Sequence, residues 1–131
     1  MDEARVKDLD LFSSLSRKER KELARHADEL DFPEGKELVR EGEFAYEFFV
    51  IESGRAEVVR GDEHVADLGP GDFLGEMGIV ARATRNASVI ARSPMTVMVM
   101  TEQAFRTMER SIPSVASRIR EAVEERSRAL A

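Results

Sequence analysis

A series of turn signals most constrains this chain, because it cuts residues 31–100 into short extended runs. Glycine occurs in every break, mostly beside proline, aspartate, glutamate or serine, at residues 33–35, 42, 53–54, 61–62 and 69–72. Between the breaks the pattern predicts strands at residues 36–40, 48–52, 56–60, 64–68, 87–91 and 96–100. Many short strands at close spacing are typical of a β-sandwich, a jelly roll or a small barrel.

Helical patterns flank this β region on both sides. Ser16 and Glu19 have the form of a capping box, which predicts that a helix starts at Ser16. After the last strand, Thr101 is placed to cap a helix, and Pro113 suits the first turn of another. We therefore expect a single domain over residues 1–131, with N-terminal helices at 1–30, a β-roll at 31–100 and C-terminal helices at 101–131.

Composition narrows the classes of function. The 131 residues can bury a core without cross-links, and the absence of cysteine excludes disulfides, thiolate metal clusters and a cysteine nucleophile. No apolar run is long enough to span a bilayer, and acids replace the apolar stretch of a signal peptide, so we expect a cytoplasmic protein. The net charge of −6 argues against a nucleic-acid polymer as partner but not against a small anion.

The segment at residues 75–80 is too short and too rich in glycine for a core strand. It predicts a brief helical turn whose free N–H groups form an anion site. Gly75 and Gly78 lack Cβ, so a ligand can approach the main chain closely. Glu76 then suits a sugar hydroxyl as hydrogen-bond acceptor, and Arg85 can form a two-pronged bond with a phosphate.

The run GEMGIVARATRNAS, residues 75–88, resembles the phosphate-binding cassette of cyclic-nucleotide-binding domains, the family found in protein kinase A regulatory subunits and bacterial catabolite activator proteins. The resemblance extends to LFSSLSRKERKELA, EGEFAYEFFVIESGRAEV and GPGDFLGE, and so covers nearly the whole chain. It implies a mainly β fold of jelly-roll type, a double-stranded β-helix, with N-terminal and C-terminal α-helices.

The resemblance also implies roles for residues of the cassette. Glu76 is expected to accept a hydrogen bond from the ribose 2′-hydroxyl, and Arg85 to pair with the cyclic phosphate. N–H groups near Gly78 and Ala87 are expected to complete the phosphate site. The full set of expected ligand-binding residues is Gly75, Glu76, Met77, Gly78, Ile79, Arg85, Asn86, Ala87 and Ser88, with Val58, Val65 and Leu74 on the apolar side of the pocket.

Two features leave recognition of the base open. Asn86 stands where relatives usually carry a small residue or a hydroxyl, and its amide can donate to a phosphate or to a purine edge. In the family the final helix often supplies a lid over the base, and Leu130 is the nearest candidate for an apolar cap. The apolar stripe of that helix also fits packing on its own domain or a homodimer seam, and these alternatives stay open.

The resemblance implies a non-enzymatic regulatory sensor that binds cAMP, or less readily cGMP, and acts on a separate protein effector or within a larger protein. The alternative is an interaction module that keeps the fold without needing nucleotide. We expect no catalysis, metal or cofactor, because His26 and His64 have no partner at ligand spacing. No helix-turn-helix follows the cassette, so we expect no DNA-binding domain on this chain.

Overall fold

A computed structural model describes residues 1–43, 47–74 and 87–130, with the backbone alone for residues 123–124 and 126–130. The helical elements are α1 (Glu3–Lys7), the 3₁₀ helix η1 (Asp10–Phe12), α2 (Arg17–His26), α3 (Glu102–Ser111) and α4 (Pro113–Leu130). The strands of this described part are β1 (Asp28–Phe32), β2 (Glu37–Val39), β3 (Glu47–Ser53), β4 (Ala56–Arg60), β5 (Glu63–Leu68), β6 (Phe73–Leu74), β7 (Ser88–Ala91) and β8 (Met95–Thr101).

The strands form two antiparallel four-stranded sheets. The helix-side sheet has the order β1-β8-β3-β6, and the outer sheet has the order β2-β7-β4-β5. Four consecutive residues of β3 are buried. Because successive side chains of a strand point to opposite faces of the sheet, both faces of the helix-side sheet are covered. Phe48 and Val50 pack among the helices, whereas Phe49 and Ile51 pack between the sheets. The domain therefore consists of a helical layer and two sheets, with a core on each side of the middle sheet.

The predicted elements are confirmed with small changes at their ends. Every predicted strand has a counterpart among β2, β3, β4, β5, β7 and β8. The capping box at α2 is complete, because Glu19 N–H donates to Ser16 Oγ at 3.1 Å and Ser16 N–H donates to Glu19 Oε1 at 2.8 Å. Thr101 caps α3 by accepting a hydrogen bond from the Ala104 N–H at 3.1 Å. The mainly β fold with flanking helices is thus confirmed.

The sequence did not predict β1 and β6. Strand β1 begins at Asp28, inside the segment expected to close the helical region, and its acid-rich sequence lacks the usual composition of a strand. It pairs with β8 from Asp28–Val99 to Phe32–Met95, so long-range pairing overrides its low propensity. Strand β6 has only two residues and carries no periodic signal.

Gly54, in the turn between β3 and β4, has a φ of +94°, and a Cβ there would lie 2.4 Å from the Pro94 carbonyl oxygen. We expect Gly54→Ala to cost about 2–3 kcal/mol of stability, from backbone strain and a clash with neighbouring main chain. Urea unfolding checks this. Gly61→Ala is the matched control, because Gly61 also has a positive φ but open space around it. Equal losses of stability in the two variants would show that the clash of a Cβ at position 54 with Pro94 does not contribute to the cost.

Candidate functional site

The candidate site that the sequence predicts falls between β6 and β7, one of several places where the chain passes from one sheet to the other. Strand β6 forms one edge of the helix-side sheet, whereas β7 lies inside the outer sheet between β2 and β4. Residues 75–86, which we call the linker, join these two strands. Seven residues that the sequence assigns to the site lie in the linker, outside the described residues: Gly75, Glu76, Met77, Gly78, Ile79, Arg85 and Asn86. The side chain of Leu130 also lies outside the described part, so these assignments stay predictions.

Buried residues hold both ends of the linker. Leu74 pairs in register with Phe49 and belongs to the core between the sheets. Ala87, at the other end, is also buried. Because the β6 end is fixed in one sheet and the β7 end leads into the other, the two strands set the separation between the ends of the linker.

Ser88, the first residue of β7, ties the start of this strand to two turns. Its Oγ accepts a hydrogen bond from the Glu41 N–H at 2.9 Å. The Glu41 side chain accepts another from the Gly61 N–H at 2.9 Å. A serine hydroxyl that accepts one hydrogen bond still has a proton to donate. The sequence did not predict this hydrogen bond between Ser88 and Glu41. The Ser88 hydroxyl can still donate its proton to another group.

The apolar residues assigned to the pocket divide into two groups. Val58 is half-buried against the core between the sheets, which also contains Leu74, so the structure brings these two into one cluster. Val65 lies apart from that cluster, with 45% of its surface exposed. The pairing of β4 with β5 passes from Val58–Ala66 to Val59–His64, which leaves Val65 as the unpaired residue of a β-bulge.

A polar cluster on the β4–β5 hairpin holds β5 and the loop after β7 to β4. Glu57 Oε2 lies 2.7 Å from His64 Nδ1, and its Oε1 accepts from Arg92 Nε at 2.9 Å and Nη2 at 2.7 Å. The hydrogen bond to Glu57 raises the pKa of His64. The hydrogen bonds from His64 and then from Arg92 lower the pKa of Glu57. The sequence did not predict this cluster, because Glu57 is paired in register with Asp67 and His64 with Val59, so the contact between Glu57 and His64 depends on the bulge in β5.

A groove of about 360 Å³ lies beside β6, and we call it the helix groove. Its lining residues come from η1, the turn before β6, β6 itself and α4: Asp10, Leu11, Gly71, Phe73, Arg118, Ala122 and Glu125. The strand that leads into the linker and the C-terminal helix therefore share one groove. Among the described residues, no cluster of histidine, aspartate and glutamate could hold a metal ion. None of the described helices has both the length and the hydropathy to cross a bilayer.

Two antiparallel four-stranded sheets with helices packed on one of them define a β-roll domain. The family model described as "Cyclic nucleotide-binding domain" matches residues 29–111, which include seven of the eight strands fully, most of β1, the linker and α3. The chain belongs to this family. The recognition made from the cassette sequence is thus confirmed.

Individual relatives agree with this assignment. The regulatory subunit of cAMP-dependent protein kinase from Hypocrea atroviridis is 31% identical over 115 residues, which cover 88% of this chain and 25% of that protein. The chain therefore spans about a quarter of that relative's length. The catabolite activator protein of Thermus thermophilus has a TM-score of 0.83 at 24% identity, over 92% of this chain and 59% of that one. The regulatory domain of Toxoplasma gondii protein kinase A, crystallised with cAMP, has a TM-score of 0.80 at 23% identity, over 94% and 48% of the two chains.

Proposed function

We propose that the chain, as one domain over residues 1–131, is a non-enzymatic regulatory sensor that binds a cyclic nucleotide at the linker, cAMP more readily than cGMP. The observation that carries this proposal is the family match over residues 29–111, which includes the linker with Glu76 and Arg85. The anchored residues Leu74 and Ala87 support it, because a binding loop needs ends that do not move.

The roles of the polar residues follow from the chemistry of the ligand. Arg85 pairs its guanidinium with the cyclic phosphate, which needs only one cation and a few N–H donors despite the net charge of −6. Glu76 accepts from the ribose 2′-hydroxyl. N–H groups near Gly78 and Ala87 complete the phosphate site, and the Ser88 hydroxyl has a proton to donate there.

The apolar side of the pocket comes from the hairpin and from β6. Val58 packs against the core that contains buried Leu74, so its half-buried side chain offers apolar surface supported by that core. Val65, exposed at its bulge, offers apolar surface that a bound nucleotide can cover. In this proposal Leu130, at the end of α4, closes over the base.

A change at the linker can reach the C-terminal helices through Phe73. Phe73 precedes the linker by one residue and lines the helix groove together with Arg118 and Ala122 of α4. In this proposal the backbone of β6 stays in its sheet, and a bound ligand favours one packing of the Phe73 side chain against α4. Such a switch requires a difference in affinity between the two arrangements, typically about 1–3 kcal/mol of coupling.

The relatives support cAMP and a regulatory role. The Hypocrea relative is the regulatory subunit of a cAMP-dependent kinase, and the Toxoplasma domain was crystallised with cAMP. A protein effector, on a separate chain or on another part of a longer protein, is the proposed reader of the switch. We also propose that this sensor is cytoplasmic and that it catalyses no reaction.

The specific observation in favour of a second function, a nucleotide-independent interaction module, is Asn86. This position usually carries a small residue or a hydroxyl in the family, so the amide alters the edge of the phosphate site. Tests of binding therefore have to compare both nucleotides, since Asn86 can contact the phosphate or the base.

We expect calorimetric titration of the purified chain to show binding of one nucleotide per chain, with a lower Kd for cAMP than for cGMP. Nucleotide at 100 times its Kd should stabilise the folded state by about 2.7 kcal/mol, which a thermal melt detects. Light scattering on the same samples tests the homodimer. No heat and no thermal shift at millimolar concentrations of either nucleotide would refute the sensor and favour the interaction module.

A further inference from the structure

Two glutamates meet at the junction between α1 and the helix-side sheet. Pairing of β3 with β8 passes from Ile51–Val97 to Ser53–Thr96, so Glu52 is the unpaired residue of a β-bulge. Glu29 lies on β1, on the other side of β8. The bulge and the edge strand therefore bring together two carboxyl groups that are 23 residues apart in sequence.

Within the described part of the chain, one cation faces this carboxyl pair. Arg5 Nη1, from α1, lies 3.3 Å from Glu29 Oε2 and 3.8 Å from Glu52 Oε1. Asp31 of β1 adds a third carboxyl near Glu52 and accepts a hydrogen bond from Thr96 Oγ1 at 2.7 Å. The charged groups that face Glu52 are thus Arg5 from α1 and Glu29 and Asp31 from β1. One guanidinium cannot neutralise three carboxylates.

The environment of Glu52 disfavours its charge. Its side chain is only 11% exposed, and its Oε2 atom is buried without a hydrogen bond from any described residue. A buried carboxylate oxygen without a donor is costly, whereas a proton on one carboxyl supplies that donor to the other. Burial, followed by the hydrogen bond and the charge of Glu29, raises the pKa of Glu52 to about 7, against the opposing effect of Arg5.

We propose that Glu29 and Glu52 share one proton, and that this carboxyl–carboxylate pair makes the junction between α1 and the helix-side sheet sensitive to pH. The folded state holds this proton up to a pH of about 7, whereas the unfolded chain releases it near the ordinary pKa of 4.5. The stability that the proton contributes is therefore complete below the unfolded pKa and is lost as the pH rises to about 7.

The direct test is a titration of the side-chain carboxyl carbons by NMR. We expect one glutamate in the wild-type chain to titrate near neutral pH. In Glu52→Gln that titration should disappear. In Glu29→Gln the pKa of Glu52 should fall, because its partner no longer carries a negative charge. Exposed Glu63, changed to glutamine, is the control and should leave the neutral titration in place.

Urea unfolding between pH 5 and 8 gives an independent readout. One linked proton changes the unfolding equilibrium constant by up to about tenfold per pH unit. The wild-type chain should therefore lose stability across this range more steeply than Glu52→Gln or Glu29→Gln. A wild-type chain whose carboxyls all titrate below pH 5.5, or an unchanged pH dependence in both glutamine variants, would overturn the proposal.

Discussion

Arg85→Ala is expected to weaken cAMP binding by about 10²-fold to 10³-fold while the domain stays folded. The reason is that removal of one partner from a hydrogen-bonded pair of charges costs several kcal/mol, and each 1.4 kcal/mol corresponds to about tenfold in Kd. Calorimetric titration measures the loss, and circular dichroism with a thermal melt checks the fold. Arg85→Lys should fall between the wild type and the alanine variant, because lysine keeps the charge but loses the two-pronged geometry.

The control for this variant is Arg17→Ala, which removes the same charge from the exposed start of α2. It should bind cAMP like the wild type, since it changes the net charge at a position outside the residues proposed to bind the nucleotide. Equal affinities of the two alanine variants would show that Arg85 does not contact the phosphate. That result would move the phosphate site away from the linker residues proposed above.

Phe48→Ala is expected to have the largest effect on stability. The Phe48 side chain is fully buried, and its ring lies 6.1 Å from that of Phe73 and 6.3 Å from that of Phe105, between ring centroids. Loss of a buried phenylalanine costs about 3–5 kcal/mol, from lost transfer energy and the remaining cavity. Because small domains have only about 5–15 kcal/mol of stability, the variant should be close to unfolding at room temperature. Urea denaturation with two spectroscopic probes measures the change.

The matched control is Leu30→Ala, in the same sheet but with 43% of the side chain exposed. It should cost below about 1 kcal/mol, as is usual for surface positions. Equal stability of the two variants would show that burial of Phe48 between the helices and the sheet contributes little to the stability of the domain. A loss confined to Phe48→Ala would show that burial of this ring, which contacts Phe73 of β6 and Phe105 of α3, stabilises the domain.

The strands were predictable because glycine at the turns divides the β region into runs of the right length. The turn at Gly54 shows the reason, since its positive φ and its contact with Pro94 leave no space for a Cβ. Strand β1 was not predictable, because its acids disfavour a strand and its pairing with β8 is a contact between distant parts of the chain. The position of a bulge, such as that at Glu52, depends on the register between distant strands, which the pattern along one strand does not contain.

The sequence motif itself accounts for the polar residues of the candidate site, Glu76 and Arg85, whose roles the family resemblance implies. It did not predict that Ser88 holds the Glu41 turn, because that contact joins residues 47 positions apart. The contacts of Glu57 with Arg92 and of Arg5 with Glu29 have the same origin in tertiary structure. In the sequence, charged residues of this kind cannot be distinguished from ordinary surface residues, because their partners lie on other strands or helices.

Strand β1 has a consequence for the behaviour of the protein in concentrated solution. It forms the edge of its sheet beyond β8, so one side of its backbone has no strand partner among the described residues. Such an edge can template the addition of strands from other molecules, and exposed Leu30 would favour this. Asp28, Glu29 and Asp31 surround Leu30 with negative charge, which repels a second copy of the same edge. The acids of β1 lower its strand propensity, and we expect the same acids to disfavour aggregation of the folded domain through this edge.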